Sequence, residues 1–331
     1  MSRLRIATFN LESLDDGPHS AQSLADRIAI LRPMLLSLDA DILCLQEVNA
    51  QVTEAHRPRG LTALCRLLAE TPYAGFAVAS GVADGERLPD HHNLVVLSRF
   101  PIAAHRAIRH ELVPQPVYRP VTSLPPAEGP LTLAWDRPIL LAAIALPAAP
   151  LLHVLNLHLK APIAAPVPGQ KISAEHWRSS RGWAEGLHMA AMKRHGQALE
   201  ARLLIEQLFD RDSQALVLVA GDFNADRNEA PIRVILGECD DAVIEGLPER
   251  ALVALDDSLP AERRYSVLHA GRRAMFEHLL ASRGLAALPH RVEVHNEGLR
   301  DEQLDWAAHE MPPQSHHAPL VVEFRMDELT Y

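Results

Sequence analysis

Short apolar runs alternate with helical patterns along the chain. RLRIATFNL and DILCLQEV have the composition of buried strands, and AQSLADRIAILRPMLLSL, between them, carries apolar residues at helical spacing. Pro33 lies inside that helical pattern, so we expect a kink or an early end there. NLVVLSRFPIAAHRAI predicts two strands bent at Pro101, because proline keeps the preceding residue out of the helical region.

The second half of the chain continues the alternation. ILLAAIAL and LLHVLNLHL, joined by PAAP, predict a hairpin, and ALVLVAGDFNAD, AMFEHLLAS and APLVVEF predict further strands. A long helix is expected from about Trp183 to Phe209, and the proline-rich residues 111–137 are expected to form a surface loop. No repeat or low-complexity tail is present, so residues 1–331 are predicted to form one α/β domain.

Composition narrows the classes of protein. Apolar residues make up 48% of the chain, and 32 Lys and Arg face 42 Asp and Glu, a formal net charge of −10. This acidic balance weighs against general affinity for nucleic acid or anionic membranes. The three cysteines lack metal-type spacing, which favours a reduced, cytoplasmic setting. The first strand begins too early to leave room for a signal peptide, and no membrane association is expected.

Polar residues stand at five strand ends, where a buried strand would otherwise avoid them. Taken singly, each has a plain explanation: an amide that caps a turn, a core histidine with satisfied hydrogen bonds, or a tight turn at GDFN. The strand-end residues are Asn10, Glu47, His158, the pair Asp222 and Asn224, and His317.

The combination of these side chains points to hydrolysis of a phosphate ester. A carboxylate binds a hard divalent ion, a second carboxylate aligns or activates water, and an imidazole transfers protons near neutral pH. Alternate residues of a strand share one face, so Asp222 and Asn224 are expected in one pocket while Phe223 faces the core.

The sequence resembles the endonuclease/exonuclease/phosphatase superfamily, the Mg²⁺-dependent phosphoesterases related to deoxyribonuclease I. The matching stretches occur in family order and reach from residue 4 to residue 325. They are IATFNLESL, DILCLQEV, NLVVLSRFPI, LHVLNLHLK, LVAGDFNAD, MFEHLLAS and SHHAPLVVEF. The resemblance implies a four-layer α/β/β/α sandwich of two packed mixed β-sheets flanked by helices, with the site at one edge.

The resemblance also implies a role for each matching residue. Glu47 is the main metal-binding carboxylate, and Asn10 helps to hold metal and phosphate. Asp222 positions the attacking water and Asn224 contacts the phosphate. His158 donates to the phosphate or to the leaving oxygen.

The neighbouring His316 and His317 point to opposite sides of an extended segment, so one pocket should receive only one of them. His317 matches the histidine of the family's terminal Ser-Asp-His motif and is the expected catalytic residue. His316 stands where the family has aspartate. It therefore ligates a softer ion such as Mn²⁺ or Zn²⁺, contacts phosphate as a cation, or leaves a weaker metal site.

Glu277 is a second departure from the family pattern, which has an aspartate at this place. In the family this carboxylate orients the terminal histidine, so we expect Glu277 to hydrogen-bond His317. The alternative is a surface glutamate. His278, the next residue, should face the other way.

A basic insert at about residues 160–200 is the main indication of substrate. From Lys160 to Arg202 the chain has seven Lys and Arg against three Glu. We expect this insert to hold an anionic substrate, whereas Lys193, Arg194 and Arg202 are expected on the solvated face of a helix. The candidate substrate-binding residues are Lys160, Lys171, Arg178 and Arg181.

Three functions remain open at this point. A Mg²⁺-dependent hydrolase of a small phosphomonoester or phosphodiester is favoured, because the chain shows no surface that would follow a phosphate backbone. A nuclease acting on short DNA or RNA is the first alternative. The second is a non-catalytic descendant that binds anions or a protein. No obligate protein partner is implied.

Overall fold

Two β-sheets form the centre of the protein, in a computed structural model that describes residues 3–17, 20, 22–52, 58–81, 87–147, 149–239 and 247–328. The strands are β1 (Arg3–Leu14), β2 (Ile42–Val48), β3 (Ala77–Ser80), β4 (Asn93–Ser98), β5 (Ile102–Ile108), β6 (Val117–Tyr118), β7 (Leu131–Thr132), β8 (Ile139–Ala145), β9 (Leu151–His158), β10 (Leu216–Asp222), β11 (Val253–Ala254), β12 (Val267–His269), β13 (Arg272–Ala274), β14 (Glu277–Ala281), β15 (His290–Val294) and β16 (Leu320–Arg325).

Each main sheet is six-stranded and mixed. The first has the order β15-β16-β1-β2-β4-β3 and the second the order β11-β14-β10-β9-β8-β5. β1 and β2 are parallel, as are β9 and β10, whereas the neighbours of these pairs run antiparallel. A continuous apolar core between the sheets draws residues from both, so the sheets pack face to face.

Helices cover the two outer faces of the sheets. α1 and α2 share an apolar core with the first sheet, and α3 and α4 share one with the second. This arrangement confirms the predicted four-layer sandwich. The helices are α1 (Leu24–Leu38), α2 (Thr62–Leu68), α3 (Ser180–Arg211), α4 (Ala230–Leu236), α5 (Leu247–Arg250), α6 (Arg283–Ala286) and α7 (Glu302–Ala308).

The sequence allowed an early end at Pro33, but the helix continues through this residue. α1 begins after Ser23, whose side chain caps the first turn, and runs through Pro33 to Leu38. Leu31 and Leu35, on either side of the proline, are fully buried against the first sheet. Their packing offsets the one backbone hydrogen bond that a proline removes.

Three other predictions about elements are confirmed. The chain bends at Pro101 so sharply that β4 and β5 belong to different sheets. β8 and β9 form the predicted antiparallel hairpin, although residue 148 of its turn lies outside the described residues. The long helix is α3, which extends from Ser180 to Arg211.

The proline-rich segment 111–137 is more ordered than the surface loop that its composition predicts. It contains the two-stranded β6–β7 ribbon and the fully buried Trp135. The indole Nε1–H of Trp135 donates to Glu200 Oε2 at 2.6 Å, which ties the segment to α3. Among the described helices, none is both long and apolar enough to cross a bilayer.

Candidate active site

Polar side chains replace apolar ones towards one end of the interface between the sheets. On β1, Leu4 and Ile6 lie in the core, and the same face continues with Thr8 and Asn10. On β10, Leu218 and Ala220 precede Asp222 in the same way. The strand-end residues therefore project into the space between the sheets, beyond the edge of the apolar core.

A buried amide network marks the boundary between the core and the site. Gln46 Nε2 donates to Asn156 Oδ1 at 2.7 Å, which joins the two sheets, and to Thr8 Oγ1 at 3.1 Å. Asn156 Nδ2 in turn donates to the backbone oxygens of Leu45 and Val95, both at 3.0 Å. The network fixes the spacing between the sheets next to the site.

Strand register places three candidate residues side by side. Asp222 on β10 pairs with His158 on parallel β9 and with Glu277 on antiparallel β14. Gly221, just before Asp222, has φ of 147° and approaches β9 so closely that a Cβ would lie 2.0 Å from Leu157 O. A side chain there would push the two strands apart, which explains the glycine in GDFN.

The two sheets meet at Asn10, Asp222 and Glu47. Asn10 Nδ2 donates to Asp222 Oδ2 at 3.0 Å and approaches Glu47 Oε1 at 3.4 Å. Glu47 has a left-handed backbone with φ of 58°, a conformation uncommon outside glycine and often found at functional sites. The backbone N–H of Ser13 donates to Glu47 Oε2 at 2.9 Å, which leaves Oε1 facing His158 Nε2 at 3.7 Å.

Glu277 hydrogen-bonds His317, as the sequence predicted. Nδ1 of His317 lies 2.7 Å from Glu277 Oε1 and 3.9 Å from Asp222 Oδ2. Although burial favours the neutral ring, these two carboxylates raise the pKa of His317 well above its ordinary value. The two carboxylates thus favour the protonated form of His317.

Asp222 and His158 have pKa shifts that favour their neutral forms. Burial and the nearby Glu277 raise the pKa of Asp222 to about 7, against the opposing effects of His317 and Asn10. Burial, together with the positive charge of Arg137, lowers the pKa of His158 well below its ordinary value. The cluster thus favours the neutral form of His158 and the protonated form of His317, beside a carboxyl group at Asp222 whose pKa is about 7.

His316 lies in a different environment from its neighbour. Its Nδ1 is 2.8 Å from Glu12 Oε1 and its Nε2 is 3.0 Å from Asp305 Oδ2. Because both partners are carboxylates, both ring nitrogens donate, and although burial opposes the charge, the two carboxylates raise the pKa of His316. The expected roles as a metal ligand and as a phosphate contact do not fit this geometry, since neither nitrogen is left for a metal or a phosphate. The third expectation, a weaker metal site, stays a prediction. The sequence did not indicate this environment, because the two carboxylates belong to Glu12 and to Asp305 of α7, which lie outside the local motif.

Asn224 does not continue the strand alternation of Asp222. β10 ends at Asp222, and Asn224 adopts a left-handed backbone with φ of 48°. Its N–H donates to Asp222 Oδ1 at 2.9 Å and its Nδ2 to Leu159 O at 3.2 Å. Phe223 is fully buried in the core, as expected. Asn224 thus fixes the orientation of Asp222.

The four predicted substrate-binding cations are not equivalent. Lys160 follows β9 directly, and its Nζ pairs with Asp136 at 3.2 Å. Lys171 lies over the ring of Trp177, 5.6 Å from its centroid, and Arg178 Nε donates to Gly169 O at 2.8 Å. Arg181 is exposed in the first turn of α3. Of these residues only Arg181 lies on α3, about 20 Å along the helix from Arg194. Arg194 approaches the backbone oxygens of Lys160 and Asn224 and is buried, as is Arg202, so the expectation of a solvated face was wrong for both.

Two residues of the site escaped sequence analysis. His92 Nε2 lies 3.0 Å from Ser13 Oγ and 3.6 Å from Glu47 Oε2, and its ring stacks on His158 with centroids 6.3 Å apart. Arg137 Nη2 lies 2.6 Å from His92 Nδ1. Both precede strands, β4 and β8, and an arginine or a histidine just before a strand gave no distinctive signal by itself.

One group of side chains has the ligand types and spacing of a metal site. Ligand atoms of Asp222, Glu277 and His317 lie within 4.8 Å of one another. The hydrogen bond between Glu277 and His317 accounts for much of this proximity. Among the described residues, Glu277 Oε2 is nevertheless buried without a hydrogen-bond partner, and Glu47 Oε1 has no hydrogen bond shorter than the 3.4 Å contact with Asn10. Carboxylate oxygens of this kind suit a hard divalent cation.

Comparison with known proteins gives the same family as the sequence motifs. The profile of the Endonuclease/Exonuclease/phosphatase family matches residues 7–238. No curated protein matches the chain significantly.

Solved structures with this fold include three informative examples, each below 20% identity. An endonuclease/exonuclease/phosphatase family protein from Bacteroides thetaiotaomicron is 16% identical, with a TM-score of 0.57 over 100% of this chain and 98% of that one. An AP endonuclease from Archaeoglobus fulgidus is 18% identical, with a TM-score of 0.50 over 97% and 99%. TDP2 of D. rerio, complexed with a single-strand DNA product, is 15% identical, with a TM-score of 0.53 over 98% and 100%. At such identities the likeness concerns the fold.

Proposed function

This chain belongs to the endonuclease/exonuclease/phosphatase family, and we propose that it is a divalent-metal-dependent phosphoester hydrolase in which water attacks phosphorus. The observation that carries the proposal is the contact of Asn10 with Asp222 at 3.0 Å, across the interface between the two sheets. This contact brings the strand ends of the first sheet, which carry Asn10 and Glu47, against the paired residues of the second sheet. Those residues are His158, Asp222 and Glu277.

Glu47 and Asn10 would hold the metal. Glu47 Oε1 has no hydrogen bond shorter than 3.4 Å among the described residues, and its carboxylate is partly open to the cleft. Oxygen donors favour Mg²⁺, and the expected preference for Mn²⁺ or Zn²⁺ loses its basis because His316 is engaged by two carboxylates. When bound, the ion supplies positive charge for the phosphoryl oxygens and lowers the pKa of water.

Asp222 is the proposed base for the attacking water. Burial brings its pKa to about 7, so it can accept a proton at neutral pH. Asn10 holds Oδ2 and Asn224 N–H holds Oδ1, which fixes the plane of the carboxylate. Proton transfer from water to Asp222 then needs no rearrangement of the site.

His317 and His158 are the proposed donors. Glu277 accepts from His317 Nδ1, so the Nε2–H of the imidazolium is free to protonate the leaving oxygen. His158 is neutral, and the Nε2–H that faces Asp222 and Glu47 is available to a phosphoryl oxygen between them. The non-catalytic alternative is weaker for this reason, because it does not require an imidazolium and a titratable carboxyl in contact.

The preferred substrate is a small phosphomonoester or phosphodiester, for which the acidic net charge of −10 is no obstacle. The nuclease alternative draws on the similarity of the fold to that of an AP endonuclease and to that of TDP2 with its DNA product. It also draws on the cations Lys171, Arg178 and Arg181, which lie just before α3 or in its first turn and could contact a longer anionic substrate.

Turnover of chromogenic phosphate mono- and diesters tests the proposal. Wild-type protein with Mg²⁺, Mn²⁺ or Zn²⁺ is expected to hydrolyse at least one of them, and Asp222→Ala should reduce the rate roughly 10²- to 10⁴-fold. Turnover that survives this substitution would exclude the mechanism. A salt titration with oligonucleotides separates the substrates, since binding to a phosphate backbone weakens steeply with salt.

A further inference from the structure

Arg137 is anchored firmly beside the site. Its backbone oxygen accepts from Gln197 Nε2 at 2.9 Å, and the preceding Asp136 is held by Lys160 at 3.2 Å and Lys193 at 2.8 Å. Arg137 comes just before β8, which neighbours β9 on the side away from β10 and β14. Its guanidinium therefore approaches the cleft from the side opposite Glu277.

The guanidinium of Arg137 has no carboxylate partner within ion-pair distance among the described residues. Its Nε is buried without a hydrogen bond. Burial lowers the pKa of Arg137, while Glu47 and Asp222 are near enough for their charges to oppose this effect. A half-buried cation left without an ion pair is costly unless a ligand supplies the missing anion.

His92 holds the guanidinium through a hydrogen bond whose direction is fixed by chemistry. Arginine only donates, so His92 Nδ1 accepts from Arg137 Nη2 at 2.6 Å and the proton of the neutral ring lies on Nε2. Nε2–H then donates to Ser13 Oγ at 3.0 Å, and this hydroxyl donates to Glu47 Oε2 at 3.2 Å. The chain runs without interruption from Arg137 to the proposed metal carboxylate.

We propose that Arg137 binds a non-bridging oxygen of the substrate phosphoryl group and that His92 is the positioning residue that aims its guanidinium. This inference rests on the proposed function, because it places the phosphoryl group between Glu47, Asp222 and His158. Arg137 then contacts the phosphoryl group opposite His317, so that cations face it from both sides. Guanidinium matches phosphate geometry better than ammonium does, and Lys160 is already paired with Asp136.

Calorimetric binding of inorganic phosphate in the presence of Mg²⁺ tests the role of Arg137. Arg137→Gln keeps an amide donor for His92 but removes the charge, and it should weaken phosphate binding roughly 10- to 100-fold. Arg119→Gln, in the same 111–137 segment, is the matched control, because Arg119 is exposed and donates only to Ala127 O. The control should bind phosphate as the wild type does. Failure of the wild type to bind phosphate, or equal affinity of Arg137→Gln and the wild type, overturns the proposal.

A second measurement needs no variant that might fail to fold. The Nε–H of Arg137 is shielded from solvent, so phosphate should shift a slowly exchanging arginine Nε–H signal in the ¹⁵N spectrum of the wild type. An unchanged set of such signals at saturating phosphate would contradict the assignment.

Substitution of His92 tests the positioning role. His92→Gln can still accept from Arg137 and donate to Ser13, whereas His92→Leu can do neither. Phosphate affinity should fall about 5- to 10-fold in His92→Leu and be largely restored in His92→Gln. Equal loss in both variants, or no loss in either, would reject the role of His92.

The outcomes separate this inference from the proposed function. Phosphate binding that depends on Arg137 without turnover of any ester would reject the hydrolase and leave the anion site. Turnover that depends on Asp222, with phosphate binding indifferent to Arg137→Gln, would reject the anion site alone.

Discussion

His317 Nδ1 donates to Glu277 Oε1 at 2.7 Å from the far side of the inter-sheet cleft. Glu277 is fully buried at the start of β14, and its backbone N–H donates to Ser266 Oγ at 3.2 Å, so its carboxylate has little freedom to turn elsewhere. Glutamate, although longer than the aspartate of the family pattern, thus makes the hydrogen bond that is expected to orient His317. The carboxylate of Glu277 favours the protonated form of His317 and raises its pKa.

Neutralising Glu277 should therefore impair turnover more than folding. Glu277→Gln keeps the size of the side chain but removes the charge that holds the proton on His317. We expect a rate loss of roughly 10²- to 10⁴-fold at neutral pH, measured with a chromogenic phosphoester. Glu277→Asp is the matched control, which keeps the charge and should lose less. A Gln variant more active than the Asp variant would show that the charge is not required.

His278 forms a buried ion pair whose contribution depends on pH. Its Nδ1 lies 2.8 Å from Asp256 Oδ2 and its Nε2 lies 2.9 Å from Ala225 O, so both nitrogens donate. Despite burial, Asp256 raises the pKa of His278, and His278 lowers that of Asp256. The stabilisation is complete between the unfolded pKa values of about 4 and about 6.5. It is lost below this window as Asp256 protonates and above it as His278 deprotonates at its raised pKa.

His278→Gln should accordingly reduce the free energy of unfolding by about 3 kcal/mol near pH 6. The difference from the wild type should shrink as the pH rises through the folded pKa of His278, as measured by urea denaturation. The exposed His176→Gln serves as control and should change little. A difference that grows with pH would contradict the charged pair.

His316 should not be a metal ligand. His316→Gln is expected to lower Mg²⁺ affinity by less than about tenfold, whereas Glu47→Gln should lower it by about 100-fold or more. Calorimetric titrations with Mg²⁺, Mn²⁺ and Zn²⁺ provide the measurement. Equal loss of Mn²⁺ or Zn²⁺ binding in the two variants would restore His316 as a ligand of a softer ion.

The linked hydrogen bonds of Gln46 and Asn156 should contribute more to the free energy of unfolding together than the sum of their separate contributions. Asn156→Ala leaves Gln46 and two backbone oxygens without this hydrogen-bond partner. We expect a loss of about 2–4 kcal/mol in the free energy of unfolding. Gln46→Leu combined with Asn156→Leu removes both buried amide side chains and should cost less than Asn156→Ala alone. Urea denaturation of the three proteins measures this order, and the reverse order would contradict the bridge.

The layers of the fold and most of the site were predictable because they depend on local patterns. Apolar runs identified the strands, and a polar residue at the end of such a run, as in Asp222, indicates the edge of a core. The resemblance to the family then supplied the pairing of Glu277 with His317, which lie 40 residues apart and which local patterns would not connect.

What sequence analysis missed depends on contacts between distant segments. Arg137 reaches the site because the buried Trp135 folds residues 111–137 against α3, and a proline-rich composition does not show this. Both ring nitrogens of His316 are engaged because Glu12 and Asp305 meet it from two other elements. The left-handed backbones of Glu47 and Asn224 likewise follow from tertiary packing.

Oxygen labelling is the most direct test of attack by water on phosphorus. A chromogenic phosphoester is hydrolysed in water enriched in heavy oxygen with Mg²⁺, and the products are analysed by mass spectrometry. The account predicts one labelled oxygen in the phosphate product and none in the released phenol, and labelled phosphate should form roughly 10²- to 10⁴-fold more slowly with Asp222→Ala. Label in the phenol, or formation of labelled phosphate at the wild-type rate by Asp222→Ala, would contradict it.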